Sequence, residues 1–248
     1  MANWNDPQPR QTGFGASPIL NGEAMGKAGT YDQGLRKHML SIYNYMASGV
    51  LLSGIVAMLF ANFGMAAQVM ATPLRWLIIL APLGFVMAMS FGLNRMRTST
   101  LQALFWAFCT VMGLSMATIF LVYTGASIAT TFFATAGAFA GLSLVGYTTK
   151  RDLSAMGSFM TMGLIGILIA MVINIFLQSS GLNLAISILG VLIFAGLTAW
   201  DTQRLKLEYA QVAGTEYAGK AVVMGALSLY LDFINMFQFL LSILGDRR

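Results

Sequence analysis

The sequence predicts an all-α fold: a polytopic membrane bundle of seven transmembrane helices with the last helix central. Three observations carry this. Apolar residues make up 57% of the 248-residue chain and charged residues only 9%, against about 25% charge in a soluble domain. Apolar runs of about 20 residues, long enough to cross a bilayer as helices, recur along the whole length. Basic residues collect in alternate connections between those runs, which is the pattern of loops held on one side of a membrane. Strands of a membrane barrel would be short and alternating, whereas these runs are long and continuous.

Taken in order, residues 1–35 contain three of the five prolines and several glycines, with no apolar core. Such a segment cannot bury enough surface to fold alone and reads as a flexible cytoplasmic tail. It lacks the apolar stretch of a secretory signal. Residues 36–248 form the membrane domain. Its apolar runs are Met39–Ala61, Leu74–Leu93, Thr100–Tyr123, Ser127–Tyr147, Gly157–Leu177, Leu184–Thr202 and Ala221–Leu244. In the fourth run, Gly137 and Gly141 have the small-xxx-small spacing that lets helices approach closely, and packing inside the bundle is the expected use.

The loop charges orient the chain. Arg36, Lys37 and His38 precede the first run, and Arg95 and Arg97 follow the second. Lys150 and Arg151 follow the fourth, and Arg204, Lys206 and Lys220 follow the sixth. The third and fifth connections carry no charge, and the only charge by the first is Arg75, at the very start of the second run. The N-terminus and the even loops are therefore expected in the cytoplasm. Arg247 and Arg248 oppose a seventh crossing, but 24 residues are long enough for one. Ser228, Asp232, Asn235 and Gln238 share one helical face there, and a polar face on an apolar helix points to the centre of a bundle. A full crossing with the C-terminus outside is expected.

The net charge of +5 lies in short loops and serves orientation, so no nucleic-acid surface is implied. The lone cysteine, Cys109, excludes an intrachain disulfide and a Cys metal cluster, and reads as a small packed side chain.

Of the nine acidic residues, two stand out. Asp232 lies inside the last apolar run, and Asp201 closes the sixth. Acids in such positions are costly and usually mark a functional path. Asp232 lies about 16 Å along its helix from Ala221, deeper than Asp201 is expected to lie. If the two carboxyls meet, like charges at contact share a proton and titrate as a unit. The pair is then a pH sensor, closed when protonated and repelling when ionised. The other arrangement is two separate acids, each satisfied by backbone or hydroxyl partners. Arg95 and Arg97 are candidates for a latch on Asp201, or else serve topology by snorkelling. As metal ligands Asp201 and Asp232 supply too few oxygens for a tight calcium site, which needs six to eight. A weak site along a path fits better.

Enzyme chemistries lack their residues. An intramembrane aspartyl protease carries its second acid in a GxGD segment, and the segment here is SLYLDFIN. A seven-span zinc hydrolase needs several histidines, and a Ser–His protease needs one beside its nucleophile. Only His38 is available, at a membrane edge. A retinal protein needs a lysine in its last span, and Ala221–Leu244 has none. No enzyme activity and no bound cofactor are expected.

FAGLTAWDTQRLK and ALSLYLDFINMFQFLLSILG resemble the signature of the transmembrane Bax-inhibitor-motif family, including its bacterial members. GYTTKRDLSAMGSFM resembles the same family's fourth loop. The resemblance covers about Lys37 to Gly245 and is strongest after Gly146. It implies a seven-helix fold with a central last helix. It implies a pH-sensitive calcium leak gated by a di-aspartyl site, here Asp201 and Asp232. The family's latch arginine falls on Arg95, with Arg97 the neighbouring register. Trp200 stands where an aromatic, often Tyr, precedes the first acid. Some bacterial members resemble modulators of a membrane-anchored ATP-dependent protease, which makes an interaction protein with an N-terminal tail contact the alternative reading. The chain stops at GDRR without a lysine-rich tail, which favours a bacterial plasma (inner) membrane. The implied partners are membrane lipid, the calcium ion and that protease.

Overall fold

The computed structural model describes the backbone from Ile19 to Arg248 and side chains from Tyr31 onward, Met70 apart. The first 18 residues of the expected tail, and the partner contact assigned to them, lie outside the described residues. Among the described residues there are eight helices: α1 (Ile19–Asn62), α2 (Met65–Met70), α3 (Leu74–Gly92), α4 (Thr98–Val122), α5 (Gly125–Thr148), α6 (Ser154–Leu177), α7 (Ser180–Val212) and α8 (Tyr217–Leu244). All but the short α2 are long and apolar enough to span a membrane.

Two boundaries differ from those drawn on hydropathy. Helix α1 begins at Ile19, inside the segment read as tail, and α7 runs ten residues past Thr202 to Val212. Extending an existing helix costs far less than starting one. The segment RLKLEYAQV consists mostly of good helix formers, and nothing stops it before Gly214, whose φ of 75° is left-handed. At about 1.5 Å per residue α7 is roughly 50 Å long, well beyond the 30 Å hydrocarbon core.

Other helix ends have visible causes. Thr124 and Ser179 cap α5 and α7, their hydroxyls accepting from the N–H of Ser127 and of Leu182 at 3.3 Å. Before α6, the N–H of Ser154 donates to Asp152 Oδ1 at 2.9 Å. Hydrogen bonds from the Ser154 side chain and backbone hold the Asp152 carboxyl below its usual range. This cap is complete near neutrality and fails as pH falls through the lowered value.

Pro82 lies inside α3 and takes away the N–H that would bond the Ile78 carbonyl. The Ser115 hydroxyl of α4 donates to that carbonyl instead. Neighbouring hydroxyls commonly re-satisfy a backbone group freed by proline in a membrane helix. Ser115→Ala is expected to lower stability by about 1 kcal/mol, read as a drop in the melting temperature of the detergent-solubilised protein. A variant melting with the wild type would remove Ser115 from the support of α3.

Helix α8 is the axis of the bundle. Half of its span is buried, against 6% for α6, which lies at the periphery. Helices α1, α4, α5 and α7 all pack on α8. Tyr230, fully buried, sits edge-on to Phe108 with centroids 5.2 Å apart. Its hydroxyl meets Ser53 Oγ of α1 at 2.6 Å, and the Ser53 hydroxyl donates to the Cys109 carbonyl of α4 at 2.7 Å. Three helices are thus joined by one satisfied polar chain, with Cys109 packed and buried as expected.

The seventh crossing is complete. The N–H of Thr124 donates to the Asp246 carbonyl at 3.1 Å, and that of Arg248 to the Val122 carbonyl at 2.9 Å. The C-terminus therefore lies at the face of the α4–α5 connection, away from the basic loops.

The glycine spacing in α5 is used differently from expectation. A Cβ on Gly137 or Gly141 would meet nothing within 4 Å, so the pair faces outward. The close approach is at Gly146, whose added Cβ would overlap the Ala199 carbonyl of α7. The inward face of α5 carries Phe139, Ser143 and Gly146, which is a different stripe from 137 and 141.

Candidate functional site: a buried acid pair

The long α7 removes the depth mismatch. Residues 201–212 and 217–228 are runs of equal length on the two sides of the α7–α8 turn, so Asp201 and Ser228 lie level. The Ser228 hydroxyl donates to Asp201 Oδ2 at 2.8 Å. Asp232 follows one turn later on the same face. The two carboxyls stand within hydrogen-bonding reach of each other, and each residue is only 5% exposed.

The cation at this site is Arg204. Its Nη2 lies 3.0 Å from Asp201 Oδ1 as an ion pair and donates to Ser228 Oγ at 3.0 Å. The guanidinium lies over the Trp200 ring, 4.8 Å from its centroid. Trp200 in turn fills the space left by Gly157 of α6, where a Cβ would collide with the indole. The segment WDTQR thus supplies the stacking ring, the acid and its counter-ion from little more than one turn.

Neither Arg95 nor Arg97 takes the position expected of a latch on Asp201. Both are exposed in the α3–α4 connection, and the one ion pair among the described residues is Arg204–Asp201. The connection docks at the start of α8, where Lys220 Nζ donates to the Leu93 carbonyl at 3.0 Å. Asp232 lies twelve residues further along α8, about 18 Å away, and even Ser228 is about 12 Å beyond Lys220. An arginine side chain does not bridge that gap, whereas Arg204 is already in place at i+3. The signal for Arg204 was its own spacing from Asp201, masked by its place in a basic loop.

The polar face of α8 is only partly used here. Ser228 and Asp232 face α7, Asn235 donates to the Leu231 carbonyl of its own helix at 2.8 Å, and Gln238 is exposed. Among the described residues no group of three or more His, Cys, Asp or Glu comes together. Asp201 and Asp232 are the two carboxylates of the site, with the Ser228 hydroxyl beside them.

One feature of the pair is unusual. Asp201 Oδ1 and Asp232 Oδ2 are buried and have no hydrogen-bond partner, the Arg204 guanidinium lying beside Oδ1 without donating to it. Buried polar atoms are nearly always satisfied. Two facing carboxylates cannot satisfy each other, because neither has a donor when ionised. One proton between them would.

The sequence that builds this site has relatives. A family described as Inhibitor of apoptosis-promoting Bax1 has a model that matches residues 35–248. The chain belongs to this family. Its relatives include the inner membrane protein YbhL of Escherichia coli K12, 43% identical over 219 residues that cover 87% of this chain and 94% of YbhL. Uncharacterized proteins of Rickettsia prowazekii and Caulobacter vibrioides are each 45% identical, covering 88% of this chain and 93% and 91% of their own lengths. The family match begins at Leu35 and so leaves out the N-terminal segment, as the sequence resemblance did. Both acids and the Arg204 counter-ion fall within it.

Proposed function

We propose that the protein is a pH-sensitive cation leak, carrying calcium, in the inner membrane of a bacterium. The reading rests on the Asp201–Asp232 pair: two facing carboxyls, buried at the centre of a seven-helix bundle, with Asp201 Oδ1 against Arg204 and Asp232 Oδ2 without a partner. The chemistry of the pair gives the gate a sign. With one shared proton, the acids hold α7 to α8 and Asp201 keeps its charge for Arg204. Removing that proton leaves two like charges at contact. Adding a second discharges Asp201 and breaks its pairing with Arg204. The sealed state thus binds one proton, and linkage makes it least favoured at both extremes of pH. Calcium, a hard cation with a preference for carboxylate oxygens, would meet a weak site here, completed by water or carbonyls.

Calcium flux into liposomes from about pH 4 to pH 9 tests this, a window that begins at the ordinary aspartate value. The wild type is expected to leak least at an intermediate pH and more on either side. Asp232→Asn keeps a hydrogen-bond donor facing Asp201 at every pH, so its leak should not rise on the alkaline side. If both proteins leak equally and neither responds to pH, the gate is not this pair.

A further inference from the structure

Helices α1 and α5 flank α8 with a gap between them, and the gap is a groove. Its larger part, a cavity of about 660 Å³, is walled by Met39, Met46 and Phe139 and floored by Phe233 of α8. That volume and an apolar lining with few polar groups are typical of small-molecule sites. Methionine walls adapt readily to a flexible guest.

The polar groups sit at one end. Arg36 lines the mouth of the groove and is exposed. Tyr147 lines the same mouth, and Lys206 lies 4.9 Å above its ring, with Nζ donating to the Tyr147 carbonyl at 2.8 Å. Among the described residues no carboxylate lines the groove. Asp32, one turn before Arg36, forms no ion pair with it. From Arg36 to Val50, where the cavity ends on α1, is about 21 Å of helix. That is half of a bilayer roughly 40–45 Å thick including its headgroups. A second cavity of about 340 Å³ continues past Val50, Phe132 and Phe233, and among the described residues none that lines it is charged.

A charged rim, an apolar trough and the depth of one leaflet fit a single amphiphile with an anionic head. We propose that this groove is a binding site for an anionic glycerophospholipid of the leaflet at the basic face. One of its acyl chains lies between α1 and α5, and its phosphate rests on Arg36 with Lys206 nearby. The site is independent of any ion conduction, although it borders the acid pair. Ser143 of the groove accepts from the Thr202 hydroxyl at 3.3 Å, and Phe233 follows Asp232.

The full chain in phosphatidylcholine vesicles, doped with phosphatidylglycerol carrying a photoactivatable group on its acyl chain, tests the proposal. Crosslinks are mapped by mass spectrometry, and the outward face of α6 reports ordinary lipid contact. Labels are expected to concentrate on residues 39–50 and 132–147, above the density on α6, and to exceed those from a matched phosphatidylcholine probe. Arg36→Gln should lose the preference for phosphatidylglycerol. Ala140→Trp, which fills the groove from an exposed position, should lose the groove labels and keep those on α6. Labels on α1 and α5 no denser than on α6 overturn the site, as does equal labelling by the two lipids in the wild type. Crosslinks joining two copies of the chain along α1 and α5 would assign the groove to a protein interface and overturn it too.

Discussion

Replacing Gly146 with leucine is expected to force α5 away from α7 and to disturb the acid pair with it. A Cβ at this position would overlap the Ala199 carbonyl, an obstacle of backbone that cannot rotate aside. Ala199 lies two residues before Asp201, and the Thr202–Ser143 hydrogen bond crosses the same seam. Overpacking in a tight interior typically costs about 1–3 kcal/mol, and the upper end applies where only helix displacement relieves the clash. At roughly 2–4 °C per kcal/mol for a chain of this size, the melting temperature should fall by about 6–12 °C. Gly137→Leu provides the contrast. The position is open, so the change should stay within about 0.5 kcal/mol of the wild type. Equal losses in the two variants would show that the α5–α7 approach is not limiting.

Tyr230→Ala is expected to cost about 3–5 kcal/mol, the range for removing a large buried aromatic ring. The ring is fully buried on the central helix and touches Phe105 and Phe108 of α4. Lipid offers little hydrophobic drive between helices, so the loss comes from packing contacts and the cavity left behind. Tyr230→Phe separates the hydroxyl from the ring. It should cost only about 1 kcal/mol, the value of the hydrogen bond to Ser53. Thermal unfolding in detergent measures both, and a Phe variant as unstable as the Ala variant would place the energy in the polar chain instead.

The number of spans, the complete seventh crossing and the central place of α8 were legible in the sequence. Hydropathy over twenty residues is a local sum, and Ser228 and Asp232 on one face already pointed that helix inward. The two acids were legible as candidates because a carboxylate in an apolar run is rare. Their contact was not. The drop in hydropathy after Thr202 marks where the chain becomes polar, whereas α7 ends only near Gly214, and that difference moved Asp201 to the level of Ser228.

The counter-ion and the close-packed glycine were misplaced for a related reason. Arg95 and Arg97 lie on the same side of the membrane as Arg204, and loop charge does not distinguish them. Gly137 and Gly141 have the spacing of a packing motif, and Gly146 does not. Composition and charge order by themselves determined a seven-helix membrane protein with two acids in its last two helices. Only the tertiary structure decided that those acids meet, that Arg204 stands beside them, and that Gly146 lets α5 and α7 close. Each of these depends on how far a helix extends and which way it is turned about its axis, and both are set by packing against neighbours distant in the chain.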